Sequence, residues 1–291
     1  MKSSLTNHKS STRKRRPQGL TLIELVMVLV ILTALAALIV PQVDFLRRTS
    51  EKATGSFTIG QVVKNLGLYR TIKGSYPDHF DSLIESDGVT KLSSLDDHAA
   101  ENFTVAELTD DEEEGLHHNG IGHVFDHDIT LAYRGNPGNS GRVDRHLEDA
   151  PRNVCVLTPG DGEGYDIMNS IFPPIDFRDQ DGDGNTDIAV DGTVIVSDDD
   201  EDLATTNDQV TARIVVLGVG PQNDAVGVTM AAAPMYQSVD AMTTYNRYMV
   251  MFAVYTSGAG REKPVQLKGA LTATSCFLNE ELLEIEENEP Q

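Results

Sequence analysis

The sequence predicts an α+β fold: a long N-terminal membrane-anchoring helix packed on an antiparallel β-sheet domain that carries a large variable insertion. Three observations predict it. An apolar run ending at Val40 approaches the roughly 20 residues that a bilayer-crossing helix needs. Apolar residues then recur at Ile59, Val62, Val63, Leu66 and Tyr69, intervals of three and four that lay one stripe along a helix. Beyond residue 122 come short β-branched runs separated by Gly, Pro, Asn and Asp clusters. A helix followed by strands, without regular alternation, is the order of an α+β domain. With 291 residues and 40% hydrophobic composition, the chain can bury a substantial core.

Charge divides the chain by position. Lys2, Lys9, Arg13, Lys14, Arg15 and Arg16 precede Gly19 with no acid among them, whereas the whole chain carries 45 acidic against 23 basic residues, a net charge of −22. The acidic body repels phosphate backbones, so no nucleic-acid partner is expected. Basic residues beside a membrane segment stay cytoplasmic, which puts the chain beyond Pro41 on the far side of the inner membrane. Cys155 and Cys276 then sit where disulfides form; they either staple the middle of the domain to its last strand or remain two separate buried thiols.

Taken in order, residues 1–19 form a basic leader and 20–41 a transmembrane helix. The stretch "RRPQGLTLIELVMVLVILTALAALIVP" differs from an ordinary secretory signal, whose apolar centre is about 7 to 15 residues with a small-residue cleavage site after it. Here the apolar stretch is longer and Gly19 precedes it. It also contains Glu24, although a carboxylate near the centre of a membrane helix costs about 2.5 to 3.5 kcal/mol.

These residues resemble the class III leader of the type IV pilin and pseudopilin superfamily. The resemblance implies that prepilin peptidase cuts after Gly19 and that the new amino terminus, Leu20, is methylated. Glu24 matches the family's acidic residue, and Pro41 the proline often found in its long helix. In a packed helical bundle a lone charge needs a partner, and the resemblance supplies one, the Leu20 amine of a neighbouring subunit. The partners implied are prepilin peptidase, other pilin-like subunits, an inner-membrane assembly platform and the inner membrane itself.

Residues 42–74 continue the helix as an amphipathic segment. Gly55, Gly60 and Gly67 weaken it, so a bend or partial melting is expected between Arg47 and Gly60, and Gly74 and Pro77 mark its end. The globular α+β domain is expected over 75–278. Within it, 86–122 is polar and acidic with no clean period and reads as a family-variable insertion. Strands are expected at "ITLAY" from Ile129, "NVCVLT" from Asn153, "GTVIV" from Gly192, "ARIVVLGVG" from Ala212, "RYMVMFAVYT" from Arg247 and "PVQLKGALTAT" from Pro264. Residues 279–291 form an acidic tail.

The segment "DQDGDGNTD" places Asp179, Asp181, Asp183 and Asp187 at positions 1, 3, 5 and 9 of a loop, with Gly184 at the turn and the Asn185 carbonyl as a further oxygen. That is the pattern of a Ca2+ loop, except that Val190 stands where the bidentate Glu belongs. Asp191 or the acids at Asp198 to Asp202 could complete the shell. His117, His118, His123 and His127, beside Asp126 and Asp128, form a second cluster, but Gly120 and Gly122 break any helix that would align them, and surface histidines are the preferred reading. No nucleophile elbow, phosphate loop or dinucleotide fingerprint is present, so no enzyme is expected.

The functional expectation is a pseudopilin-like structural subunit of a type II secretion system or a related type IV filament. The alternatives are a type IV pilus subunit and a membrane-tethered periplasmic module that binds calcium or cargo without polymerising.

Overall fold

The computed structural model describes residues 22–128, 141–158, 193–196, 210–255 and 265–275. Two compact units divide at Arg47 and Arg48. Both contain part of α1, Leu22–Lys73, which is helical without interruption through Pro41 and through the stretch where melting was expected. Gly74 ends it in the left-handed conformation, φ +86°, with its N–H donating to the Arg70 carbonyl at 2.8 Å. That bond satisfies one of the carbonyls a helix end leaves open.

In the first unit, among the described residues, thirteen large apolar side chains between Leu22 and Val40 are exposed, from Leu22 at 81% to Val26 at 47%. The unbroken apolar run Leu25 to Leu32 covers more than two turns, so every face of the helix is apolar there. Among the described residues no helix is long and apolar enough to cross a membrane. The side chains described without a gap end at Ala37, while Leu20, Thr21, Leu38 and Pro41 lie outside them. The complete span expected over 20–41 is therefore not contained in the described residues.

In the second unit the expected stripe is buried: Ile59, Val62, Leu66 and Tyr69 enter one core with Val63 partly covered. They pack with one face of a sheet that has nine strands among the described residues, through Val154, Val156, Val215, Leu217, Val250, Phe252 and Val254. The strands are β1 Phe80–Glu85, β2 Phe103–Glu107, β3 His123–Asp128, β4 Gly141–His146, β5 Asn153–Leu157, β6 Thr193–Val196, β7 Val210–Gly218, β8 Met249–Tyr255 and β9 Val265–Leu271. Strand β7 is the hub: β1, β5 and β6 share one of its edges and β8 takes the other, with β9 beyond β8.

The sheet is mixed, which corrects the expectation of an antiparallel one, because β1 and β3 run parallel. Parallel neighbours need a long crossover rather than a hairpin. Here residues 86–122 supply it, folding as α2 Asp97–Asn102, β2 and α3 Asp110–His118. The segment expected to be a variable insertion is thus part of the core. Leu92, Leu95, Ala99 and Phe103 cover the second sheet face against Cys155, Leu157, Ile214, Val216 and Met251. Its acids are local as well: Thr109 and Glu112 form a capping box, so "TDDEEEG" is a helix start. Acidic side chains in that first turn meet the positive end of the helix dipole.

Strands expected from Asn153, Gly192, Ala212, Arg247 and Pro264 correspond to β5 through β9. The strand expected from Ile129 and the tail 279–291 lie outside the described residues.

Candidate functional site

The features that bear on function lie in three places: the apolar part of α1, a buried ionic cluster in the sheet, and a histidine group at the start of β3. Fully burying one Val, Leu or Ile is worth about 1.5–3 kcal/mol. The exposed side chains from Leu22 to Val40 therefore leave tens of kcal/mol unrealised until lipid or other helices cover them. Glu24 is exposed in the first described turn, the one carboxylate in this sleeve. Gly19 and Leu20 lie outside the described residues.

The buried cluster centres on Asp81 of β1. Arg142 of β4 donates from Nε to Oδ1 at 2.8 Å and from Nη2 to Oδ2 at 3.1 Å, and the Tyr245 hydroxyl donates to Oδ2 at 2.9 Å. Glycine makes room for it: a Cβ at Gly218 would stand 1.9 Å from the Tyr245 oxygen, and one at Gly220 2.3 Å from Asp81 Oδ1. Burial pushes the Asp81 carboxyl upward, but neighbouring charges and hydrogen bonds outweigh it and hold the group below its ordinary value. His127, with Nε2 3.8 Å from Asp81 Oδ2, is pushed down chiefly by burial. A neutral imidazole lends Asp81 no charge, so at neutral pH Arg142 and Tyr245 hold the carboxylate.

A second buried pair lies one residue along. Asp126 accepts from Arg145 Nε at 2.7 Å and from the Ser82 hydroxyl at 2.6 Å. Farther off, Arg213 Nε stands 3.2 Å from Glu112 Oε1, an ion pair by distance without hydrogen-bond alignment. Each of these carboxylates has a fixed cation beside it, the arrangement of a structural network rather than of acid–base chemistry.

The sequence candidates separate in space. His117 faces Glu148 at 3.6 Å, His127 enters the Asp81 cluster, and His123 approaches Asp144 at 3.3 Å, so these three histidines do not converge. Asp179, Asp181, Asp183, Asn185 and Asp187 lie outside the described residues, as does Cys276. Cys155 is a free thiol buried in the sheet, its Sγ 3.4 Å from the Leu83 carbonyl, and burial pushes it up to about 12. Asp81, Arg142 and Tyr245 were not singled out from the sequence, since 61 and 164 residues separate the partners from Asp81. The signal available was the pair of glycines in "LGVG", which marks close approach to a strand.

Residues 14–40 match the model of the prokaryotic N-terminal methylation motif. No curated protein and no solved structure matches the chain. The matched motif contains Gly19, Leu20 and Glu24 and implies processing by prepilin peptidase and pilin-like assembly. The amino terminus of this chain is a class III prepilin leader, and it supports membership of the chain in the type IV pilin and pseudopilin family.

Proposed function

We propose that the chain is a pseudopilin-like structural subunit of a type II secretion or related type IV filament system, with no catalytic role. In this reading prepilin peptidase cuts after Gly19 and Leu20 is methylated. The helix then holds the subunit in the inner membrane with its domain on the periplasmic side. An assembly platform transfers it into a filament of pilin-like subunits. The observation that carries the reading is the exposed apolar surface of α1 between Leu22 and Val40, with Glu24 near its start, inside the matched motif. Lipid covers such a surface before assembly and neighbouring helices cover it afterwards. A carboxylate kept there needs a cationic partner, which the Leu20 amine of the next subunit provides.

Mass spectrometry of the mature protein tests the first step, with Leu20 as a methylated first residue the expected result. Cleavage elsewhere, or none, would sink the reading. Glu24→Ala separates assembly from anchoring: the variant should be processed and inserted yet give no filament. Wild-type filament yield would remove Glu24 from assembly, and absence of filaments from the unmutated chain would favour a membrane-tethered module. Filaments reaching the cell surface would favour a type IV pilus subunit. The reading includes one Ca2+ held by Asp179, Asp181, Asp183, Asp187 and the Asn185 carbonyl.

A further inference from the structure

We propose that His79, His123 and Asp144 form a binding site for a divalent first-row transition ion, with zinc the best fit. One ligand atom from each side chain lies within 4.8 Å of the others. His123 Nδ1 and Asp144 Oδ1 are 3.3 Å apart. Two ligands about 2.0–2.1 Å from a tetrahedral zinc stand roughly 3.3–3.4 Å from each other, so this pair already has the length of one tetrahedral edge.

The backbone brings the three together. His123 opposes His146 across the β3–β4 ladder, and Asp144 lies two residues before His146 on the same strand face. His79 comes from the irregular segment before β1, where its backbone adopts φ +62° and its N–H donates to the His123 carbonyl at 3.2 Å. A non-glycine residue in that region is strained, and such positions concentrate at binding sites. In this conformation the His79 ring lies 5.1 Å from that of His123 and stacks on Phe125. The start of β3 is fixed independently, because Asp78 Oδ1 accepts the N–H groups of Gly122 and His123 at 3.0 and 2.8 Å.

His79 also has the outer partner that a ligating imidazole ordinarily requires. Its Nδ1 is 3.0 Å from Asp224 Oδ1, which can only accept, so Nδ1 is taken up by that contact and Nε2 is the ring nitrogen left to meet an ion. Two imidazoles and one carboxylate, without thiolate, suit zinc, nickel or copper(II) and not calcium or magnesium. Three protein ligands leave a position for water, and the His79 and His123 side chains, each about 30% exposed, allow the ion to exchange. The site is independent of the filament reading and of the acidic segment 179–187.

The test uses the full chain in detergent, stripped with chelator and titrated with Co2+ as a visible reporter and then with Zn2+. One Co2+ per chain should give ligand-field bands that Zn2+ abolishes and excess Ca2+ leaves in place. Asp144 is exposed, so Asp144→Asn should leave the fold intact while removing the bands. The His79→Ala/His123→Ala double variant should remove them as well. Asp224→Asn should keep one-to-one binding with Zn2+ affinity weakened about 10–100-fold. Absence of bands from the unmutated protein, bands that persist in the double variant, or displacement of Co2+ by Ca2+ would overturn the proposal.

Discussion

Arg142 and Asp81 form a two-point ion pair inside the sheet, and two glycines on the neighbouring segment leave the space it occupies. Removing one partner strands a charge in a place water does not reach. Asp81→Asn or Arg142→Met should therefore destabilise the domain by about 3–5 kcal/mol. The double variant should cost less than the sum, with a coupling of about 0.5–3 kcal/mol. Denaturant unfolding of the four proteins measures it, and additive losses would mean that the pair is not coupled.

The same cluster sets an acid limit. His127 has a folded pKa below its ordinary 6.5, so the unfolded chain takes up the proton first and stability falls as pH drops below about 6.5. Asp81, held below 3.8, adds a second loss only at more acid pH. Melting temperature should be flat above neutrality and decline from pH 6.5 downward. His127→Gln should flatten the decline between about pH 5 and 6.5, and an unchanged pH profile in that variant would assign it to other groups.

Gly220→Ala tests the glycine cradle. Its Cβ would meet all three atoms of the Asp81 carboxyl group within 2.7 Å, so the carboxylate must shift off Arg142. Overpacking of this kind costs about 1–3 kcal/mol, and here it adds the disturbed ion pair. Gly67→Ala, where a Cβ meets nothing within 4 Å, is the control and should be neutral or stabilising. Equal melting of the two variants would refute the cradle.

Calcium should raise the melting temperature of the processed chain if Asp179 to Asp187 hold the ion. Without the twelfth-position Glu the affinity is expected at about 10⁻⁴ to 10⁻³ M. At ten times the dissociation constant that adds about 1.4 kcal/mol. Asp181→Ala with Asp183→Ala should abolish the difference between millimolar calcium and chelator. Identical melting of the unmutated chain in both buffers would reduce the segment to a solvated acidic turn.

Much of this architecture is written in local pattern. The stripe Ile59, Val62, Leu66, Tyr69 and the strands β5, β7, β8 and β9 follow from periodicity, because each buries residues at a spacing its own backbone dictates. The packing of segment 86–122 was not legible because its buried residues, Leu92, Leu95, Ala99 and Phe103, are spread over turns and two short elements and share no period. β1 was missed for a related reason: its six residues include buried Asp81 and Ser82, whose partners come from β4, β3 and the segment before β8. The histidine group was half legible. His123 was singled out, but His79 and Asp144 reach it only through the parallel β1–β3 pairing and the β3–β4 ladder. For the buried Asp81 cluster the glycines of "LGVG" mark a close approach to the strand, but not which distant side chains make it.

The place of β7 in the sheet imposes an order on biogenesis. Strands β1 and β5 are synthesised first, yet both must wait for Val210–Gly218, and β7 in turn leans on β8. A nascent chain growing at about 5–20 residues per second therefore spends on the order of 10 s after β3 with its central strand missing. The stripe on α1 and the apolar residues of 83–103 stay uncovered during that interval. If the domain crosses a membrane as it is synthesised, these surfaces stay open to solvent until Tyr255 has emerged. Chains truncated at residue 209 should accordingly show no cooperative unfolding and should be degraded rapidly, whereas chains ending at 275 should fold; a cooperative transition in the shorter chain would show that the sheet closes without its hub.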